Sequence, residues 1–325
     1  RCVAVDPRGE FVAVGGDDGL VVIYDALCGM EVRRMRFEDD VRALFWRADD
    51  VLLVGSGPSV LFVLPRVRDG DVDTSALTVA EEETNRAGIV FVPPTDAQLL
   101  AGVVLSIRHP MTVKHIDAHK KGDYLCVICS AGSSSQCVVH HLPTRKSQIP
   151  FKQRRTFIQQ AYFHPTKPAL VVASQSSFAV VDLLRGRVTQ RIRTPTRWIT
   201  AIAVHPSGEH VVIVSFDRRC IWFDLQLGSE PFKRMHLHTA PCRDVAFHPT
   251  LPLFATTADD AAVQVVHAQT YAEITQDPTI IPLLRLAGHE KKGALGGTAV
   301  RFHPFLPWLY STGADGTLQV FTDWF

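Results

Sequence analysis

Short apolar runs divided by turn residues recur along the whole chain. The stretch from Arg197 to Leu225, RWITAIAVHPSGEHVVIVSFDRRCIWFDL, shows the pattern most plainly. Ile199–Val204, His210–Ser215 and Cys220–Phe223 are rich in Val, Ile and Phe, and each is bounded by turn formers, so they read as three consecutive strands. Pro206-Ser207-Gly208 breaks the first connection and Asp217-Arg218-Arg219 turns the second. A lone three-stranded meander cannot bury its apolar faces, so it needs copies of itself to pack on.

The copies are present. His164-Pro165, His205-Pro206, His248-Pro249 and His303-Pro304 each follow one apolar run and precede another, at intervals of 41, 43 and 55 residues. Asp6-Pro7, Trp46-Arg47 and Ala118-His119 hold the same place earlier, which makes seven units anchored near positions 6, 46, 119, 164, 205, 248 and 303. A period of about 40–45 residues with about four strands per unit is the signature of a WD-type β-propeller. Tyr24-Asp25, Val181-Asp182 and Phe223-Asp224 stand where such repeats carry Trp-Asp, and Gly288-His289 resembles the Gly-His that opens many of them. The expected fold is therefore all-β: one seven-bladed propeller over residues 1–325.

Blade one reads as Cys2–Asp6, Phe11–Gly15, Leu20–Tyr24 and Glu31–Arg36. Blade two starts at Val41, and its pattern stops after Leu64. The interval from Trp46 to His119 is 73 residues, too long for one blade. An acidic insertion over about 66–102, with Asp69, Asp71, Asp73 and Glu81–Glu83, therefore separates the third strand of blade two from its outer strand at Val103–Arg108. Such a stretch reads either as a disordered surface loop or as a partner-binding arm. In blade six, the connection Gln269–Pro282 has room for a helical turn at Tyr271–Gln276. Blade seven shows three strands, near Thr298–Phe302, Leu309–Thr312 and Leu318–Phe321, and lacks an outer one. The chain opens at Arg1 inside an expected strand and without Met. It reads as part of a longer protein whose upstream residues would complete blade seven and leave room for a targeting segment.

Composition removes several functions. A hydrophobic fraction of 46% against 21% charged residues suits a large packed core, and a net charge of +1 gives no global attraction to nucleic acid or membrane. No apolar run approaches the ~20 residues of a spanning helix. Seven cysteines without regular spacing do not suggest a disulfide framework, and a reducing, intracellular setting is expected. Cys126 and Cys129 form C-x-x-C, but they lie on a strand, where residues three apart face opposite ways; this suits neither zinc nor redox chemistry. The fourteen histidines invite a metal or catalytic reading. Yet His164, His205, His248 and His303 recur once per blade, too far apart to share a metal, and each is expected to hydrogen-bond a backbone group at its own turn. Asp217, Asp260 and Asp315 read as turn formers. Nucleotide-binding, serine-hydrolase and zinc-protease motifs are absent, so no catalytic residue, cofactor or metal is expected.

Surface chemistry remains. Arg154, Arg155, Arg197, Arg218, Arg219, Lys291 and Lys292, with Trp198 beside Arg197, fall on connections between blades or on second-to-third-strand hairpins. Asp17, Asp18, Glu38, Asp39, Asp40, Asp259 and Asp260 fall on the same kind of turn, so that rim is expected to be positive over blades four and five and negative over one, two and six. A second basic group, Lys120, Lys121, Lys167, Arg185 and Arg187, extended by Lys114, Arg145 and Lys146, belongs to the opposite rim. Clustered arginine suits phosphate, and Trp198, Phe216, Phe151 and Phe232 are candidates for the apolar centre of a protein interface.

HKKGDYLCVI (119–128), SQIPFKQRRTFIQQAYFHPTKPALVVASQ (147–175), the stretch 197–225, PLFATTADDAAVQVVHA (252–268) and TAVRFHPFLPWLYSTGADGTLQVFTD (298–323) resemble the C-terminal propeller of the block-of-proliferation, or eukaryotic ribosome biogenesis, family. The resemblance covers nearly the whole chain outside the acidic insertion. It implies a nucleolar and nuclear scaffold in maturation of the large (60S) ribosomal subunit and processing of precursor ribosomal RNA. It further implies a three-protein complex with pescadillo, met mainly through an N-terminal region this chain lacks, and with a second WD-repeat protein bearing a ubiquitin-like domain. A large AAA ATPase would later remove that complex from the pre-60S particle. Two other classes fit the propeller alone: a WD adaptor such as a ubiquitin-ligase substrate receptor, and a propeller enzyme, which would need carboxylates or histidines converging on its axis.

Overall fold

The computed structural model of the chain describes all residues except 49, 66–87, 101, 132–133, 151–156, 272–276 and 323–325. Among the described residues the strands group into seven sheets, the blades of a WD-type β-propeller, with one five-residue helix. The residues pack into two compact units, one of 2–163 with 185–187, the other of Arg1, 164–184 and 188–325.

In the first unit, blade one is β1 (Cys2–Val5), β2 (Phe11–Gly15), β3 (Leu20–Asp25) and β4 (Glu31–Arg36), antiparallel and in chain order. Blade two is β5 (Val41–Trp46), β6 (Leu52–Ser56), β7 (Ser59–Val63), β8 (Val90–Val92) and, after helix α1 (Asp96–Leu100), β9 (Val103–Arg108), in the order β5-β6-β7-β9-β8. So β9 pairs with β7 as the outer strand the sequence called for. The sequence left 66–102 without regular structure; β8 instead adds a fifth strand beyond β9, because Ile89 and Phe91 bury against the core of this blade and its neighbour. The acidic residues 69–83 lie outside the described residues. Blade three is β10 (Thr112–Ala118), β11 (Tyr124–Ala131), β12 (Ser134–His141) and β13 (Lys146–Gln148), and β14 (Ile158–Phe163) packs against it. Asp117 clasps the two: its buried carboxylate accepts the Phe163 N–H at 2.7 Å.

The second unit holds β15 (Ala169–Ser174), β16 (Ser177–Asp182) and β17 (Arg187–Arg193) of blade four. Blade five is β18 (Ile199–Val204), β19 (His210–Ser215), β20 (Cys220–Asp224) and β21 (Pro231–Met235). Blade six is β22 (Cys242–Phe247), β23 (Leu253–Ala258), β24 (Ala262–Gln269) and β25 (Thr279–Ala287). Blade seven is β26 (Gly297–Phe302), β27 (Leu309–Gly313) and β28 (Leu318–Phe321). The connection in blade six is shorter than the sequence suggests, since Thr279–Ile281 already pair with His267–Gln269; residues 272–276, where a helical turn was expected, lie outside the described set. The middle strands are buried on both faces: β19 and β23 have no exposed residue, and Trp222, Phe254 and Val214 form a core between blades five and six.

The recurring His-Pro anchors do what their periodicity suggests. His164 Nδ1 accepts the backbone N–H of Thr166 and Lys167, and His205 Nδ1 that of Ser207. His248 Nδ1 accepts those of Thr250 and Leu251, and His303 Nδ1 those of Phe305 and Leu306. In three of the four the far side of the ring does a second job the sequence does not announce: it meets the next blade. His248 Nε2 lies 3.3 Å from Leu306 O, His205 packs edge-on against Phe247, and His164 hydrogen-bonds the backbone of Gly208. The Asp that ends the third strand in blades one, four and five caps the following turn: Asp25 for Leu27 N–H (3.0 Å), Asp182 for Leu184 N–H (2.9 Å) and Asp224 for Gln226 N–H (2.8 Å).

A candidate docking face

Five first strands share a register shift near their start: Val41/Ala43, Val113/His115, Ile199/Ala201, Cys242/Asp244 and Gly297/Ala299. A bulge turns the skipped side chain out of the pleat. Those residues are Arg42, Lys114, Thr200, Arg243 and Thr298. In blade six the bulge aims Arg243 at Asp259, which takes it with both carboxylate oxygens, at 2.8 and 2.9 Å from Nε and 2.6 Å from Nη2. The guanidinium carbon then lies 5.7 Å from the ring centre of Phe216.

Phe216 opens the hairpin between β19 and β20, and its N–H donates to Trp198 O at 2.9 Å. That bond joins the two residues through their backbones, and both side chains meet solvent: Trp198 is 45% and Phe216 53% exposed. The turn is fixed from below, where Ser215 N–H donates to Arg219 O and Arg219 N–H to Ser215 Oγ. Arg218 stands at its tip with φ 65°, a left-handed conformation uncommon outside glycine, and reaches Thr239 O at 3.4 Å. Arg219 is anchored to Asp217 and to Pro195 O. On the blade-seven side, Gly296 N–H approaches Asp259 Oδ1 at 3.4 Å, closing the loop that exposes Lys291, Lys292 and Leu295. Trp198, Phe216, Arg243, Asp259 and Gly296 thus form one chain of contacts within the second unit.

The acids of this face are engaged. Asp259 holds Arg243, and Asp260 accepts from His238 Nδ1 (3.0 Å) and lies 3.4 Å from Arg285. Burial opposes the charge of Asp260, but His238 and the N–H groups of Thr239 and Ala262 outweigh it and hold the carboxyl at about 2. The expected negative sector over blade six is therefore not there, because its two carboxylates are spent on internal cations and donors. In the first unit Asp17, Asp18, Glu38 and Asp39 are exposed as expected, while Asp40 pairs with Arg42 at 2.6 Å.

The sequence reading names His289 only as part of a Gly-His pair and does not single out His238. Each links a carboxylate to a hydroxyl: Asp260 and Thr256 for His238, Asp315 and Ser311 for His289. The order matches a hydrolytic triad, but Thr256 and Ser311 are fully buried, so their hydroxyls face no substrate and the sets tie turns to strands. Comparing the residues just before each first strand across repeats would have found these histidines. The same comparison would have found Arg243. Cys126 and Cys129 are buried, and burial and neighbouring thiols push both well above the ordinary thiol range, Cys129 to about 12. No cluster of three metal-ligating side chains occurs among the described residues.

Of the sequence candidates, Arg197, Trp198, Arg218 and Arg219 lie on the two turns that the Phe216–Trp198 hydrogen bond joins, and Lys291 and Lys292 on the loop that Gly296 ties to Asp259. Arg154, Arg155 and Phe151 lie outside the described residues. Phe232 is half-buried against the core of blades five and six and is no exposed anchor. Lys120 and Lys121 are exposed in the first unit, on the β10–β11 turn, where His119 packs against Tyr124 and Phe163. Lys114 does not join them: it lies near the start of β10, at the other end of the strand from Lys120 and Lys121, and its ammonium sits 4.7 Å from the Phe157 ring centre.

A family model for the WD domain, G-beta repeat matches residues 1–25, 186–224, 229–266 and 281–322. The chain is 34% identical over 334 residues to a ribosome biogenesis protein BOP1 homolog of Drosophila ananassae, and 35% identical over 334 residues to those of Drosophila persimilis and Drosophila pseudoobscura pseudoobscura. Each alignment covers 99% of this chain and 42% of the relative, so the chain spans about two fifths of the length of the curated relatives it matches.

Proposed function

We propose that this chain, which is 34–35% identical to BOP1 ribosome biogenesis homologues, is a member of their family and a non-catalytic scaffold in assembly of the large ribosomal subunit. In this reading it docks a second WD-repeat protein, one bearing a ubiquitin-like domain, within a three-protein complex that includes pescadillo. It acts in the nucleolus and nucleus on the pre-60S particle during processing of precursor ribosomal RNA, and basic turns away from Trp198 and Phe216, such as that of Lys120 and Lys121, contact that RNA.

The observation that carries the docking part is the exposed Trp198–Phe216 pair with arginines on its flanking turns. Interfaces concentrate their affinity in a few such residues, with Trp and Arg prominent among them. The hydroxyls of the two triad-like sets, on Thr256 and Ser311, and the thiols of the C-x-x-C are, by contrast, buried in structural roles.

The test is affinity purification of the tagged chain from nuclear extract, as wild type and as Trp198→Ser with Phe216→Ser. Wild type should bring down precursor large-subunit particles with the WD-repeat partner, and the double variant should lose the partner. Recovery of a ubiquitin-ligase core without ribosomal precursors would overturn the reading in favour of a general WD adaptor.

A further inference from the structure

The Trp198–Phe216 face also carries a charge pattern that selects its occupant. Arg197 and Arg218 flank the aromatic pair, one on each of the two turns that supply it, and Lys291 and Lys292 stand on the loop closed against Asp259. None of these four forms an ion pair among the described residues. The carboxylates around them are already committed: Asp217 to Arg219, Asp259 to Arg243, Asp260 to His238 and Arg285, and Asp315 to the Glu290 N–H. Glu290 is the exposed acid beside them. An apolar centre thus lies within a rim that is cationic and short of anions.

We propose that this face binds an acidic protein segment carrying one aromatic or large apolar side chain, which packs on Trp198 and Phe216 while its carboxylates meet Arg197, Arg218 and the two lysines. The inference rests on reading this face as a docking surface and adds the chemistry of what docks. Preorganisation supports it. The aromatic pair is joined through its backbone, Arg243 beneath Phe216 is held by two oxygens of Asp259, and the hairpin is tied by Ser215, so little side-chain or loop freedom is lost on binding. A single-stranded nucleic acid fits less well. Its phosphates ask for cations tracking a groove, whereas here the cations sit on separate turns around an apolar centre.

The experiment uses the 325-residue chain and a fluorescein-labelled peptide of Glu and Asp around one central Phe, read by anisotropy. Controls are the same peptide with Ser for Phe, a Lys-for-Glu version, and a uridine oligomer. The acidic Phe peptide should bind, and Trp198→Ser with Phe216→Ser should weaken it by at least tenfold. Arg197→Glu with Arg218→Glu should weaken it by about tenfold and flatten its salt dependence. Absence of peptide binding, binding indifferent to the aromatic pair, or capture of the uridine oligomer in its place would each overturn the proposal. The peptide assay needs no WD-repeat partner, so loss of the wider docking reading and loss of this inference are separately visible.

Discussion

At the residue scale, the recurring histidines of this fourteen-histidine chain work as acceptors at their own turns. In the His-Pro anchors, Nδ1 accepts backbone N–H groups, so it carries no proton and the ring works as the neutral Nε2–H tautomer. Protonation would place a hydrogen where the turn needs an acceptor. The environment agrees: burial among Phe247 and Trp222, with His210 nearby, lowers the His205 pKa from 6.5 to about 4, and burial lowers those of His164 and His248 too. The consequence for stability has a definite sign. Between pH 6.5 and about 4 the unfolded chain takes up a proton that folded His205 refuses, so stability drops as pH falls through that window and levels off below it. Asp117 acts in the opposite sense. Burial raises its carboxyl to about 7, so it costs the fold stability as pH rises from about 4 to 7. His205→Asn keeps an acceptor at the same position without the titration. Urea midpoints of this variant measured from pH 7.5 to 4.5 should fall less steeply than wild type, and parallel curves would remove His205 from the account.

At the scale of elements, periodicity revealed most of the strands because each blade repeats the same alternation of buried runs and turns; β2, β4, β18 and β19 fall on the expected residues. What stayed hidden depends on partners distant in sequence. The strand β8 is only three residues long and pairs solely with β9, so its own sequence shows no period. The bulges are invisible residue by residue and appear only when repeats are superposed. The edges differ as well. Charges cover β4, whereas β25 exposes Ile281, Leu283 and Leu284 and blunts its edge with Pro282. The anchors also bind element to element. Gly208, at φ 81°, brings its turn so close to His164 that a Cβ there would lie 2.2 Å from the ring's Cε1. Gly208→Ala should therefore destabilise the chain by roughly 1–3 kcal/mol, through backbone strain and displacement of His164. Thermal unfolding monitored by circular dichroism checks this, and an unchanged midpoint would contradict the inter-blade role of the histidine.

For the whole molecule, a net charge of +1 hides what the surface does with its charges. The sequence put Asp259 and Asp260 into a negative sector, and it could not show that Arg243 and His238 consume them, because those pairings cross 16 and 22 residues of chain. It did bring Arg197, Trp198, Arg218 and Arg219 into one stretch, since a single inter-blade connection and the next hairpin supply all four. The similarity to BOP1 homologues and the burial of Thr256, Ser311, Cys126 and Cys129 fit the proposed scaffold, a protein that works by what it holds. The most direct test mixes the purified chain with the WD-repeat protein bearing a ubiquitin-like domain, then sizes the mixture at low and at high salt. The account predicts a 1:1 complex that weakens but survives at high salt, because its centre is Trp198 and Phe216 and only its rim is screened, and that is lost in the Trp198→Ser, Phe216→Ser chain. A folded chain that forms no complex at either salt, or one whose complex ignores both aromatic residues, would contradict it.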